Sequence, residues 1–287
     1  LAIERIYPAL CNSARVYQFK ALRQTANFIV ISILIILTGL YSIGTIKRNY
    51  IWKDEYTLWT DTVKKSPDAY MPHINMGNTY YEKKEIDKAI KHYQIALKLK
   101  QNYPNAYYNL GLIYFEQGRF EDAIKEYMIA LKLKPDDAEA HNNLGAVYFR
   151  QGRLDEAMKE YMIASKLNPD YTEAYYNLGL IYFKQGRLDE AIKEYMFALK
   201  LNPDYTQVYN NLGKVYSKKG EIDKAIEHYQ SALRLKPDYL DAHYNLGLVY
   251  LETGLRHKAE EEFKMVLKLR PDFTPAREAL ESINGER

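Results

Sequence analysis

Cysteine, net charge and clustered metal ligands are all scarce in this chain, and each scarcity removes a class of function. The only cysteine is Cys11, so there is no disulfide framework and no CxxC metal or redox site. The formal net charge is only +3 over 287 residues. No compact run of Lys and Arg stands outside amphipathic helical patterns, so nucleic acid is not an expected partner. Six histidines are present, and three of them, His73, His141 and His243, lie 68 or 102 residues apart; they read as packed elements of a repeating structure rather than metal ligands. Acidic pairs such as Glu121–Asp122 and Asp189–Glu190 open helices, where they favour the helix dipole. A catalytic carboxylate pair would need a shielded cleft, which such exposed turns do not offer. No active site is legible, and no cofactor is expected.

What the chain does have is an apolar run and a repeat. Between Arg23 and Lys47 lie 23 uncharged residues, QTANFIVISILIILTGLYSIGTI. As a helix they span roughly 35 Å, enough for a bilayer core of about 30 Å. The alternative is a helix buried on all sides of a soluble domain, which the rest of the chain is ill suited to surround. Residues 24–46 are therefore expected to cross a lipid bilayer, preceded by a juxtamembrane segment over 1–23. Arg15, Lys20 and Arg23 flank one end and Lys47, Arg48 and Lys53 the other, so the positive-inside rule gives no orientation. The chain begins with Leu and carries 23 mostly polar or mixed residues before the run. That reads as a piece of a longer protein and not as a signal peptide.

From residue 70 to 273 the sequence repeats every 34 residues, in six units that start at Tyr70, Pro104, Ala138, Thr172, Thr206 and Leu240. Position 8 of every unit is Gly, from Gly77 to Gly247, and position 20 is Ala, from Ala89 to Ala259. Position 11 is always Tyr; position 24 is Tyr in five units and Phe263 in the sixth. Small residues at 8 and 20 let two helices approach, and the rings fill the space between neighbouring helices. Gly118, Gly152, Gly186, Gly220 and Gly254 mark the turn between helices, where the first unit has Lys84. Pro135, Pro169, Pro203, Pro237 and Pro271 end the second helices. This pattern resembles the tetratricopeptide repeat. The resemblance implies an all-α, right-handed superhelical solenoid, which the apolar run makes one preceded by a transmembrane helix. Counting back one period places Trp59 and Pro67 at the ring and proline positions of a degenerate half repeat over 50–68. At the other end, 274–287 starts like a seventh first helix and has Glu281 where the small Gly belongs, as expected of a solvating cap.

Each helical residue turns by about 100°. Positions 4, 7, 8 and 11 then share a packed face, and positions 2, 5, 6, 9, 12 and 13 the opposite one, which in tetratricopeptide arrays lines the concave groove. Position 6 is Asn throughout: Asn75, Asn109, Asn143, Asn177, Asn211 and Asn245. An amide offers donors and an acceptor together, so a ladder of them suits the backbone of an extended peptide. The array of O-linked N-acetylglucosamine transferase is similar here, and its groove asparagines hold peptide backbone. The alternative, that Asn is only the inherited consensus at this position, stands beside that reading. Three apolar sets accompany the ladder: Tyr108, Leu112 and Phe115; Tyr176, Leu180 and Phe183; Tyr244, Leu248 and Leu251. Asn142 and Asn210 stand where the intervening units would have the Tyr, and Lys214 and Ser217 make the fifth unit more polar. Spaced apolar patches of this kind fit an extended protein segment. Repeat domains that clamp a chaperone carboxylate tail resemble a Lys–Asn–Asn–Lys–Arg pattern over these positions. This chain has Ile74, Asn78, Asn109, Glu139 and Asn143 there, so that clamp is not expected.

The order of segments also resembles the C-terminal part of membrane glycosyltransferase-like proteins, the transmembrane-and-tetratricopeptide O-mannosyltransferases among them. Glu4, Arg5, Tyr7 and Pro8 loosely match their segment before a late span, with one residue fewer. That resemblance implies repeats on the extracytoplasmic side of the cell membrane and catalytic loops far upstream, so the fragment itself is not an enzyme. Two functions follow as expectations: a membrane-anchored scaffold that binds an extended segment, or the acceptor-binding tail of a glycosyltransferase.

Overall fold

The computed structural model describes residues 3–285, with side chains for 25, 27–50 and 52–283. The side chains of Glu4, Arg5, Tyr7, Pro8, Arg15, Lys20 and Arg23, on which the glycosyltransferase resemblance and the N-terminal charge flank rest, lie outside the described residues, as do residues 286–287. Every element is helical, with no strand among the described residues. Chain contacts divide the protein into two units, 1–101 and 102–287.

In the first unit α1 runs over Ile3–Ile51, and within it Asn27–Tyr50 is long and apolar enough to cross a bilayer, with none of its most apolar stretch buried against protein. Its hydroxyls fold back on the helix: Thr38 Oγ1 donates to Leu34 O at 2.8 Å, Ser42 Oγ to Thr38 O at 2.8 Å and Thr45 Oγ1 to Tyr41 O at 2.9 Å. Such bonds let a polar side chain sit in an apolar surrounding without an orphan donor. A short turn leads to α2, Glu55–Lys65, capped by Asp54, whose carboxylate accepts the Thr57 N–H at 2.8 Å while Thr57 Oγ1 accepts the Asp54 N–H. This reciprocal cap satisfies two donors that the first helical turn leaves open. Then come α3, Tyr70–Glu82, and α4, Ile86–Leu99. α2 packs on α3, with the Tyr56 ring edge-on to Tyr80 at 5.9 Å.

The second unit is five helix pairs and a final helix. The first helices are α5 (Pro104–Glu116), α7 (Ala138–Arg150), α9 (Thr172–Lys184), α11 (Thr206–Lys219) and α13 (Leu240–Glu252). Their partners are α6 (Phe120–Leu133), α8 (Leu154–Leu167), α10 (Leu188–Leu201), α12 (Ile222–Leu235) and α14 (Arg256–Leu269), and α15 covers Thr274–Gly285. Each pair is built on a glycine against a ring. A methyl group on Gly145 would lie 2.8 Å from Tyr161 Cε1, and one on Gly213 would lie 2.5 Å from Tyr229 Cε1. The rings at position 24 are among the most buried side chains, with Tyr127, Tyr195 and Phe263 fully enclosed. α15 closes the stack by burying Ala276 and Ile283.

The packed face is wider than positions 4, 7, 8 and 11. Position 3 (Ala106, Ala140, Ala174, Val208, Ala242) and position 10 (Ile113, Val147, Ile181, Val215, Val249) are buried too. From α7 onward each first helix lies between its own partner and the second helix of the preceding repeat, so two sides of it need apolar residues. The turn between α3 and α4 keeps the same left-handed geometry as its counterparts, with Lys84 at φ 62° where Gly118 has 71° and Gly152 has 77°.

Candidate protein-binding groove

The first helices carry the ladder asparagines, all half-buried. In the second unit these amides bond across repeats. Asn143 Nδ2 donates to the Tyr108 hydroxyl at 2.8 Å, Asn177 Nδ2 to Asn142 Oδ1 at 2.9 Å, Asn211 Nδ2 to the Tyr176 hydroxyl at 3.4 Å, and Asn245 Nδ2 to Asn210 Oδ1 at 3.0 Å. Position 6 of the third to sixth repeats thus binds position 5 of the one before it. The alternation Tyr108, Asn142, Tyr176, Asn210 is a row of acceptors, in which hydroxyl and amide oxygen do the same work. Tyr108 passes its own proton on, donating to Glu139 Oε1 at 2.6 Å. Burial pushes the Tyr108 hydroxyl up, and the bond to Glu139 raises it further. Burial likewise raises Tyr176.

Position 5 therefore belongs to the repeat interface more than to an open groove. Asn142 and Asn210 are buried at 6% and 2% exposure, not polar patches on the surface. The physical reason is the bond itself: a short amide reaches its neighbour only by sinking between the helices. Tyr108, Tyr176 and Tyr244 stay half-buried and lean on core rings, Tyr176 on Tyr205 at 5.1 Å and Tyr244 on Phe273 at 5.1 Å. Asn75 stands at the same position in the first unit, and Asn109 opens the ladder of the second; both are half-buried.

The remaining apolar positions keep a solvent-facing side. Leu112, Phe115, Leu180 and Phe183 are half-buried, and Leu248 is 40% exposed. Phe149 joins them at position 12 of the third repeat; its register alone would have placed it there. Over these rings lie cations from the next repeat, Lys184 Nζ at 4.5 Å from the Phe149 centroid and Lys218 Nζ at 5.4 Å from that of Phe183. The ladder amides spend one N–H on the neighbouring repeat. Among the described residues, nothing donates to Oδ1 of Asn143, Asn177, Asn211 or Asn245. An acceptor and part of a donor thus remain at these four rungs. The second helices carry a separate exposed strip, Met128, Met162 and Met196.

No group of His, Cys, Asp and Glu among the described residues is placed to hold a metal ion. His141 and His243 have other work: Nδ1 meets Glu160 at 2.6 Å and Glu262 at 2.5 Å, while Nε2 donates to the carbonyls of Pro135 and Pro237.

No curated protein sequence matches the chain. Solved structures do. A chain of the APC/C hetero-tetramer Cut9–Hcn1 is similar with a TM-score of 0.67 at 21% identity, over 80% of this chain and 45% of that one; this protein spans less than half of that chain. YrrB, described as a tetratricopeptide protein with an unusual peptide-binding site, is similar with a TM-score of 0.55 at 26% identity, over 64% of this chain and 95% of that one. MamA is similar with a TM-score of 0.53 at 33% identity, over 58% of this chain and 97% of that one. The family model for the cilia and flagella-associated protein 70 C-terminal domain matches residues 64–281. With that match covering about three quarters of its length, the chain belongs to this family of tetratricopeptide-repeat domains.

Proposed function

We propose that the protein is a membrane-anchored scaffold whose groove binds an extended segment of a partner protein. The fold supports a protein-interaction role, and the peptide-binding site described for YrrB is in keeping with it. The observation that carries the finer reading is the ladder: amides in register, fixed by their inter-repeat bonds, with free carbonyl oxygens beside half-exposed Leu and Phe side chains. Because the ladder is already ordered, a ligand backbone meets its partners without first immobilising them. The anchor is the apolar stretch of α1, and the repeats stand on the extracytoplasmic side; protease added to intact cells reaches them if so and spares them otherwise.

The test uses short peptides selected from a random display library on the full chain in detergent, titrated by fluorescence anisotropy. Replacing Asn109, Asn143, Asn177 and Asn211 with Ala removes several ligand bonds and weakens binding by at least about tenfold. The same change costs stability, about 1 kcal/mol per ladder bond, so circular dichroism must show that the array is still folded. Tyr108→Phe with Tyr176→Phe removes ladder acceptors but leaves the amides, and binding should survive. Met162→Glu, on the second-helix strip, should leave affinity unchanged. A folded Ala variant that binds as tightly as wild type would make the ladder purely internal and reject the groove reading.

A further inference from the structure

Along the groove of the second unit the charges at the ends of the first helices differ from repeat to repeat. Position 13 is Arg150, Lys184 and Lys218 in the third, fourth and fifth repeats, each exposed in the last turn of its helix. Lys214 adds a half-buried cation one turn before Lys218. The helix dipole favours a cation at a C-terminus, but it does not dictate one here, because the same position is Glu116 in the second repeat and Glu252 in the sixth. Nor are these cations spent on the protein. Arg119, Arg153 and Arg187, in the next turn of the chain, each pair with a carboxylate three residues on, at 2.6, 2.8 and 2.9 Å. Arg150, Lys184, Lys214 and Lys218 form no ion pair among the described residues. Instead Lys184 and Lys218 lie over Phe149 and Phe183, at the apolar edge of the groove. The opposite ends of the same helices carry Glu139 and Glu173. Eleven residues of helix, roughly 16 Å, separate the two rims.

We propose that this groove selects an acidic extended peptide: apolar side chains enter beside Phe149, Leu180 and Phe183, and Asp or Glu side chains lie along the rim of Arg150, Lys184 and Lys218. The inference rests on the groove reading above. A ring beneath an ammonium group holds the cation in place and leaves its outward side open to a carboxylate. The acidic rim at the far ends repels the same carboxylates, so the charge pattern sets which way the acidic side of the ligand faces.

The experiment compares three labelled peptides on the full chain in detergent, identical in their Phe and Pro residues and carrying Glu, Gln or Lys between them. The Glu peptide should bind about tenfold tighter than the Gln peptide, as expected of three exposed charge pairs, and added salt should shrink that gap. Changing Arg150, Lys184 and Lys218 to Glu should reverse the order in favour of the Lys peptide; changing them to Gln, a milder surface change, should level the three. Equal binding of the Glu and Gln peptides overturns the charge selection and leaves the groove reading intact. Failure of all three peptides on a folded chain overturns both.

Discussion

A single methyl group is enough to test how tightly one repeat is packed. On Gly213 it would stand 2.5 Å from the Tyr229 ring, deep in the pair formed by α11 and α12. Gly213→Ala should cost about 1–3 kcal/mol, as overpacking does, and urea unfolding would show it as a lower midpoint; an unchanged midpoint would mean the ring moves freely. Lys84 is the reverse case. Its φ of 62° is the left-handed geometry that glycine supplies in the later repeats, and a side chain there costs of the order of 1–3 kcal/mol. Lys84→Gly should raise the stability of the first repeat by about 1 kcal/mol after the entropy of the unfolded glycine is set against the relief. Melting followed by a probe in α3 or α4 would read it, and a fall in melting temperature would refute it. Gly, Ala and Tyr at positions 8, 20 and 24 are legible in the sequence because all six repeats solve the same contact. The ladder acceptors are not. Tyr108 and Asn142 look like opposite choices until the neighbouring amide, 35 residues further on, shows them to be equivalent.

Between elements the variable contact is the one joining position 4 of a first helix to position 23 of its partner, and its chemistry changes along the chain. In the third and sixth repeats it is His141 with Glu160 and His243 with Glu262. Burial works against their charged imidazoles, but the bonds to Glu160, Glu262 and the proline carbonyls outweigh it, and both pKa values are raised; Asp137 adds to the effect on His141. Their stabilising contribution is therefore full below the unfolded value of about 6.5 and fades as pH rises through the raised one. In the first repeat His92 faces His73 at 3.1 Å, and burial first, then repulsion from His73 and Lys91, lowers it to about 4. Burial also lowers His228 in the fifth repeat, against a smaller opposing pull from Glu227, with Lys224 adding to the fall. Those two contribute above about pH 6.5 and lose the contribution as pH falls. Going from about pH 7 to about pH 5, hydrogen exchange corrected for its intrinsic rate should show α4 and α12 losing protection relative to α8 and α14. A uniform change across the four helices would sink the idea. Position 4 was legible as packed; that its partner is a carboxylate in some repeats and an imidazole in others emerges only when the helix pair is assembled. The breadth of the packed face was hidden for the same reason, because a single helix period shows one buried side and these helices have two.

For the molecule as a whole, the unpartnered surface of α1 sets the physical problem. Phe28 is 75% exposed, Ile35 65% and Ile46 69%, and an apolar strip this long left in water would drive aggregation. Asn27–Tyr50 has 24 residues, about 36 Å of helix, against a hydrocarbon core of about 30 Å. The folded-back hydroxyls of Thr38, Ser42 and Thr45 leave no donor of theirs exposed to lipid. Tyr50 and Trp52 at its end, with Arg48 5.3 Å from the Trp52 ring centroid, suit the interface between lipid and water. If α1 spans a bilayer, the full chain expressed in cells should stay with the membrane pellet after an alkaline carbonate wash and leave it only in detergent. Putting Arg at both Ile35 and Leu37, near the middle of the span, adds about 5–7 kcal/mol to insertion on the translocon scale and should release most of the chain. Deleting 24–46 should release it with the helical signal of the repeats intact, since that signal comes from contacts between repeats that the span does not make. Wild-type chain that washes off in carbonate would show instead that α1 is covered by protein, and the anchor in the proposed function would have to be replaced by a partner on that helix.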